Sequence, residues 1–303
     1  GGINSENNIK DLLLKIFILF SIISFTIFLL LNFSGIRMFN SLNLSMSLVS
    51  TGGFLPTESL DKIIRTNTQK LVLIFSFLIS MLNFFLILNI FERKIIIRQH
   101  KEDFYLVILS LLFVILIYLN NQSVLNTFIS VLSSLSNSGL SLLSESNNLS
   151  LYFILITAVG GSLISNTSGI KFARIYILLK TASIEIIKLA SPNSITNKSI
   201  FNSEKKINNE NIKISFLIFI SFFLSLFILS SILIFDNIDF EKSFKLSILT
   251  ITNTTNSSMF GIGEMNFANL LTTSKLSLIM FMIIGKIELI SIFLVIKKIF
   301  FKD

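Results

Sequence analysis

The sequence predicts an all-α polytopic membrane protein in which one helical unit is repeated along the chain. Hydrophobic residues fill 52% of the 303 positions and charged residues only 14%, whereas soluble domains carry about 25% charged residues. Long apolar runs without charge recur along the chain, and Lys and Arg cluster between alternate runs. Together these observations favour a membrane-spanning fold over a soluble one.

The apolar runs have the length of membrane spans. Those at residues 16–35, 71–91 and 214–235 each reach the roughly 20 residues that a helix needs to cross the hydrocarbon core. A shorter run at 104–119 opens a longer charge-free tract. The first run is too long for the apolar region of a signal peptide and has no small-residue cleavage site, so we interpret it as a mature helix.

The net charge of +8 is distributed in a way that indicates topology rather than nucleic-acid binding. Seventeen of the 25 Lys and Arg residues lie in segments 1–15, 92–103, 171–213 and 297–303, and the intervening loops hold seven. Basic residues favour the cytoplasmic side of a membrane. The pattern therefore predicts a multi-pass chain with both of its termini in the cytoplasm.

The repeated unit consists of an apolar span, a short helix, a loop of small polar residues and a returning apolar stretch. Its three copies predict units at residues 1–101, 102–212 and 213–303, and the second also carries a polar cytoplasmic linker.

The short helix is the informative element of each unit. In the middle unit Val124, Phe128 and Leu132 share one helical face, and the counterparts are predicted at residues 38–49 and 240–252. A helix of about 12 residues rises only ~18 Å, which is too short to cross. Because irregular backbone at membrane depth survives only where it is buried or lines water, we interpret the three as re-entrant half-helices. Amphipathic surface helices in extracellular loops are the alternative.

The loops after these helices suit a cation. They are predicted as filter segments at residues 50–54, 136–141 and 253–263. An ion that sheds water must receive other oxygens, and rings of backbone carbonyls supply them. Gly52, Gly53 and Gly139 stand where glycine cheaply adopts the conformations that aim carbonyls inward. No residue of these loops is acidic, so we expect selectivity from carbonyls and hydroxyls.

A second polar break interrupts the returning stretch of the middle unit. Residues 151–159 are apolar, residues 160–171 are small and polar, and an apolar-rich stretch follows to residue 189. Neither apolar piece spans a membrane alone, and broken helices commonly line permeation paths. We therefore predict an intramembrane gate at 160–171, with a simple loop between two short helices as the alternative.

At these positions the sequence resembles the TrkH-type members of the Trk/Ktr/HKT superfamily of potassium transporters. The matching strings, at 50–54, 137–141, 160–174 and 285–289, follow the family's order across essentially the whole chain. The resemblance implies pseudo-repeats around a central pore, with potassium as the transported ligand and no bound cofactor. It also implies a homodimer in a bacterial inner membrane whose cytoplasmic face meets a nucleotide-binding regulatory subunit.

The loops and the resemblance together nominate site residues. The predicted potassium-binding filter positions are Ser50, Thr51, Gly52, Asn137, Ser138, Gly139, Asn256, Ser257 and Ser258. The predicted gate positions are Gly161, Asn166, Thr167, Gly169 and Lys171.

Several charged side chains need an interpretation of their own. Lys286 lies inside the last span, and a charge at depth is costly, so we interpret it as a pore-facing barrier; a lysine satisfied by a partner is the alternative. Glu288 is interpreted as structural. Lys171 and Arg174 are interpreted as positive-inside anchors, and His100 as a solvated loop residue.

Departures from the family pattern leave other functions open. The chain has three units where the family has four, which predicts a fragment without the first; the last filter lacks a glycine near Ser258, and Lys286 replaces an arginine. The gate has other residues where glycines and a threonine are common, namely Ile164, Asn166, Thr167 and Ser168. The alternatives are a poorly selective or sodium-permeable cation pathway and a non-conducting membrane subunit. One His, no Cys and no nucleophile–base–acid set argue against an enzyme.

Overall fold

A computed structural model describes most of the chain. The described residues are 2–287, 291 and 298, without 58, 92–99, 120–122, 143–148, 193, 195–196, 203–205, 256–257, 262–266 and 268–269.

Eleven α-helices form the regular structure of this described part, which confirms the predicted all-α fold. In chain order they are α1 (Gly2–Phe33), α2 (Met38–Ser50), α3 (Asn67–Met81), α4 (Phe84–Phe91), α5 (Lys101–Tyr118), α6 (Val124–Leu135), α7 (Ser150–Val159), α8 (Phe172–Ala190), α9 (Asn209–Ile234), α10 (Phe240–Ile251) and α11 (Thr272–Ile287).

The longest helices have the length and surface of membrane spans. Within α1 the segment Leu13–Phe33, and α9 over Asn209–Ile234, are long and apolar enough to cross a bilayer. Both expose large apolar side chains such as Phe17 and Phe227, which water would disfavour and lipid accommodates. The chain is a multi-pass membrane protein.

The predicted continuous span at 71–91 is wrong. Helix α3 ends at Met81, and α4 leaves it at an angle of 106°. The backbone turns extended at Leu82, with ψ of 164°. Asn83 then starts the next helix, because its Oδ1 accepts a hydrogen bond from Phe85 N at 2.9 Å.

The three short helices occupy equivalent places. Helix α2 packs on α1, α6 on α5, and α10 on α9. The C-terminal ends of α6 and α10 are enclosed by protein: Ser134, Leu135 and Thr250 have no exposed surface. Helix α2 instead keeps one face exposed, at Met38, Leu42 and Met46. The alternative of amphipathic surface helices is therefore wrong for α6 and α10, because such helices would leave one face open along their whole length. The exact limits of the three units stay a prediction.

Serine side chains inside the apolar helices are satisfied locally. Ser76 donates to Val72 O at 2.8 Å, Ser221 to Ile218 O at 2.9 Å and Ser225 to Phe222 O at 2.8 Å. Such bonds to the preceding turn remove the cost of burying a hydroxyl. The small side chains also allow neighbouring helices to pack closely.

The linker between α8 and α9 is docked where it is described. Phe201 stacks on Tyr176, with ring centroids 4.1 Å apart, and lies 5.5 Å from the ring of Tyr105. Lys180 Nζ donates to Ser199 O at 2.6 Å. The linker is thereby fixed against α5 and α8.

Cysteine labelling tests the predicted topology. The chain has no cysteine, so single cysteines can be placed at Ser59, between α2 and α3, and at Asn197, in the linker. Because basic residues flank Asn197 and favour the cytoplasmic side, we expect an impermeant maleimide to label position 59 only from outside and position 197 only from the cytoplasm. Labelling of position 197 from outside would overturn the orientation.

Candidate functional site

Each short helix ends in the same backbone turn. The first residue beyond the capping position is left-handed in all three: φ is 52° at Thr51, 56° at Asn137 and 59° at Asn253. In each turn this residue donates its N–H to the carbonyl three residues before it, and the next residue donates to the carbonyl five residues before it. The second set of bonds joins Gly52 N to Ser47 O (2.9 Å), Ser138 N to Ser133 O (3.0 Å) and Thr254 N to Leu249 O (2.8 Å).

These bonds define a Schellman motif, which normally uses glycine at the left-handed position. Asn is a tolerated substitute, but the β-branched Thr51 is an outlier there. We call the three segments 50–53, 136–139 and 252–255 the cap turns.

The third cap turn lies at the start of the third predicted filter segment. Residues 252–255 are the structural equivalents of 136–139, and the predicted segment 253–263 includes three of them, whereas the nominated positions Asn256, Ser257 and Ser258 follow later. Asn256 and Ser257 lie outside the described residues, and Ser258 begins a 3-10 turn, Ser258–Phe260. The sequence did hold a signal, since 136–138 and 252–254 share the pattern Ser/Thr-Asn-Ser/Thr.

The cap turns lie directly against one another. A Cβ atom on Gly53 would sit 2.3 Å from Ser138 O, and one on Gly139 would sit 3.2 Å from both Thr254 Cα and Thr254 O. The first turn therefore touches the second, and the second touches the third. Gly53 and Gly139 have φ of 71° and 67°, but Thr255 at the equivalent place has no positive φ. The third turn departs from the other two at this residue.

Side chains of the left-handed residues tie each cap turn to another element. Asn137 Nδ2 donates to Thr157 O of α7 at 2.8 Å, and Asn253 Nδ2 donates to Met282 O of α11 at 3.1 Å. Thr51 Oγ1 donates to Asn166 O of the 160–171 loop at 3.1 Å. The turns are thus held from behind by the returning elements of the fold.

The 160–171 loop joins α7 to α8 and reaches the first cap turn. Asn166 Nδ2 donates to Val49 O at 2.8 Å, near the C-terminal end of α2. Thr167 Oγ1 accepts from Gly161 N at 3.0 Å, which closes the loop on itself. A Cβ on Gly169 would lie 3.0 Å from the carbonyl oxygen of Thr157. The loop is therefore a compact plug-like segment beside α7.

Lys171 and Arg174 are buried, so their interpretation as membrane-boundary anchors is wrong. They expose only 1% and 9% of their surface. Lys171 has φ of 78°, and its ammonium donates back into the loop, to Ser165 O at 3.1 Å and to Thr167 O. The lysine satisfies carbonyls that the irregular loop leaves without backbone partners.

Lys286 joins the loop to the first cap turn. Its Nζ donates to Ser50 O at 2.7 Å, to Asn166 O at 2.8 Å and to the hydroxyl of Thr51. The residue as a whole is exposed, and its ammonium is bonded to these three oxygens. Glu288 lies outside the described residues.

The site offers oxygen atoms and no acid–base set. Its cap turns carry hydroxyls in close pairs, Ser136 with Ser138 at 3.0 Å and Thr252 with Thr254 at 2.9 Å. Within the described part of the chain, no three His, Cys, Asp or Glu residues are grouped as metal ligands. Carbonyl and hydroxyl oxygens of this kind suit a weakly hydrated monovalent cation rather than a divalent metal.

Comparisons with known proteins give the same fold. No protein-family model matches the chain. A curated protein of Methanocaldococcus jannaschii, described as an uncharacterized cation transporter, is 23% identical over 95% of this chain and 59% of its own length. The crystal structure of the potassium transporter TrkH from Vibrio parahaemolyticus superposes with a TM-score of 0.81 and 16% identity, over 90% of this chain and 61% of TrkH. The chain has the TrkH fold and spans about three fifths of both relatives.

A pair of glycine substitutions tests the contact between the first two cap turns. Gly53 and Gly35 both have positive φ, but a Cβ at Gly35 would meet nothing within 4 Å. Gly35→Ala is expected to cost about 1 kcal/mol of unfolding free energy from backbone strain alone. Gly53→Ala adds a clash with a main-chain carbonyl and is expected to cost about 4 kcal/mol or more. Thermal unfolding in detergent measures both, and equal losses would contradict the contact.

Proposed function

We propose that this chain forms most of a potassium pathway across a membrane, with the cap turns as its filter. The single observation that carries the proposal is the convergence of three equivalent turns at the ends of three half-helices. A dehydrated cation needs oxygens from several sides at once. Repetition of one turn around a centre is a way for a single chain to supply them.

The short helices add a favourable electrostatic field. Each of α2, α6 and α10 has its C-terminal end at a cap turn, and a helix C-terminus carries about half a negative charge. Three such ends directed at one place attract a cation without an acidic side chain. A filter of this kind avoids the strong binding that a ring of carboxylates would impose on the ion.

The 160–171 loop is proposed as the gate. It lies against the first cap turn through Asn166, and Lys286 holds the two together. Three oxygens around the Lys286 ammonium resemble the ligands that potassium itself would use. The ammonium therefore competes with an ion for these oxygens and repels it. At an effective dielectric of about 20, two unit charges about 6 Å apart repel by roughly 3 kcal/mol.

The relatives support transport of a cation by this fold, and the choice of potassium is part of the proposal. TrkH is a potassium transporter, and the archaeal relative is described more broadly as a cation transporter. We also propose the assembly that the sequence resemblance implies, a homodimer in a bacterial inner membrane with a cytoplasmic nucleotide-binding regulatory subunit.

A poorly selective cation pathway is the second candidate, and Thr255 favours it. The other two cap turns have glycine with positive φ at this place, and Thr255 does not. A carbonyl that is turned differently in one cap turn would weaken the distinction between potassium and sodium.

Substitution of Lys286 tests the barrier. In the intact gene product, Lys286→Ala and Lys286→Met are expected to raise rubidium uptake by proteoliposomes, by up to about a hundredfold if the charge is unscreened. Lys286→Arg keeps the charge and is expected to leave uptake near the parent level. The methionine variant keeps the apolar stem, so if it inserts normally but its uptake stays at or below the parent level, Lys286 is only a structural tie.

Substitution of Thr255 decides between the two candidates. Thr255→Gly permits the positive φ of the other cap turns and is expected to raise the ratio of rubidium to sodium uptake. Thr255→Ala is the matched control, because it removes the side chain without making that backbone conformation cheap, and we expect it to leave the ratio unchanged. If the parent already discriminates strongly against sodium, the second candidate is wrong.

A further inference from the structure

Two carboxylates at the start of α5 hold main-chain groups that belong to other elements. Glu102 Oε1 accepts a hydrogen bond from Leu163 N, in the 160–171 loop, at 2.7 Å. Asp103, which exposes only 3% of its surface, accepts from Asn83 N at 3.0 Å through Oδ1. Asn83 lies at the break between α3 and α4. Neither carboxylate takes part in the filter or the barrier.

The break and the loop are also bonded to each other. Ser162 N donates to Met81 O, and Phe84 N donates to Ile164 O, both at 3.0 Å. A Cβ on Gly161 would lie 2.8 Å from the same Met81 oxygen. Three segments therefore meet at one place: the α3–α4 break, the first half of the loop and the first turn of α5.

Opposite charges enclose the loop. Lys171 donates to the middle of the loop, at Ser165 and Thr167, while Glu102 accepts from Leu163, nearer its start. Burial raises the pKa of the Glu102 carboxyl to about 7, and the hydrogen bond from Leu163 together with the nearby Lys171 and Arg174 opposes that rise. A helix N-terminus also favours negative charge, and a carboxylate binds an N–H group about twice as strongly as a neutral acceptor does.

His100 belongs to this arrangement, so its interpretation as a solvated loop residue is wrong. Its side chain is only 13% exposed, with Nδ1 3.6 Å from Asp103 Oδ2. Its Nε2 lies 3.0 Å from Asn89 Nδ2 of α4. The first turn of α5 thus contacts α4 as well as the loop.

We propose that Glu102 and Asp103 are positioning residues for the gate, with Asp103 fixing the α3–α4 break and Glu102 fixing the adjacent loop in the blocking position. The inference rests on the proposed function for its consequence in transport, but the position of the loop can be measured without transport. On this proposal the first turn of α5 holds the loop, and the loop would have to break its bond to Glu102 before it could move.

The test measures the position of the loop and the rate of ion uptake separately. One spin label is placed in the loop at Ile164→Cys and one on α9 at Ser231→Cys in the intact, cysteine-free gene product. Pulsed electron paramagnetic resonance then measures the distance between the two labels. We expect one narrow distance distribution in the parent and a broadened one in Glu102→Ala. Glu185→Ala is the matched control, because Glu185 is 68% exposed and pairs only with Lys188 among the described residues. It is expected to leave the distribution unchanged.

Rubidium uptake gives the second reading. Loss of a charged hydrogen bond that favours the blocked state is expected to raise the maximal rate about tenfold, with the half-saturating concentration unchanged. Glu102→Gln keeps an acceptor oxygen for Leu163 N. It is therefore expected to broaden the distance distribution less than Glu102→Ala and to keep the rubidium uptake rate near that of the parent. A purely structural role would instead lower expression in both variants without a change of rate per molecule.

Each result decides one question. A narrow distribution in Glu102→Ala overturns the positioning role even if uptake is normal. If the alanine variant does not fold, Glu102→Ser, whose hydroxyl is too short to reach Leu163 N, takes its place, and a distribution identical to that of the parent overturns the inference. A parent without uptake refutes the proposed function, yet a broadened distribution in the variant still supports the position assigned to Glu102.

Discussion

The main-chain carbonyls at the ends of the three short helices must find partners, and the rest of the site depends on how they do so. At membrane depth no bulk water satisfies the last carbonyls of a helix. The cap turns solve this with two backbone bonds each, which require a left-handed residue at Thr51, Asn137 and Asn253. Once the chain has reversed in this way, the next residues of one turn lie on the next turn. The close approach of Gly53 to Ser138 and of Gly139 to Thr254 follows from that geometry.

The same demand explains the loop between α7 and α8. An irregular segment of twelve residues exposes many main-chain groups, and side chains from elsewhere supply much of what the backbone cannot. Lys171 and Glu102 serve its carbonyls and its N–H groups, respectively. Asn166 O accepts from both Thr51 and Lys286. The loop therefore cannot leave the first cap turn without breaking bonds to two separate elements, the turn itself and α11.

Composition and charge were sufficient to predict the helical membrane fold, because apolar length and basic asymmetry report directly on burial in lipid. The polar turns after the first two short helices were located as well, since glycines at 52, 53 and 139 mark them. The third predicted segment, 253–263, overlaps its cap turn, but the nominated positions lie after it, because Thr255 replaces the expected glycine and the shared Ser/Thr-Asn-Ser/Thr pattern is common in loops. The role of the three turns as a filter stays a prediction. The break at Leu82–Asn83 was not predicted, because Asn83 lies within a charge-free, mostly apolar run that is long enough to span a membrane. Partners for Lys171 and Glu102 could not be seen either, because they come from tertiary contacts with main-chain atoms.

The cap turns separate what the backbone requires from what the side chains require. Their defining bonds are made by the main chain, so the residues that follow the left-handed position differ: Gly52, Ser138 and Thr254 all make the same bond. The bond that closes each turn therefore sets no requirement on the side chain at these places. What fits there is decided by other contacts, such as the hydroxyl pairs of Ser138 with Ser136 and of Thr254 with Thr252.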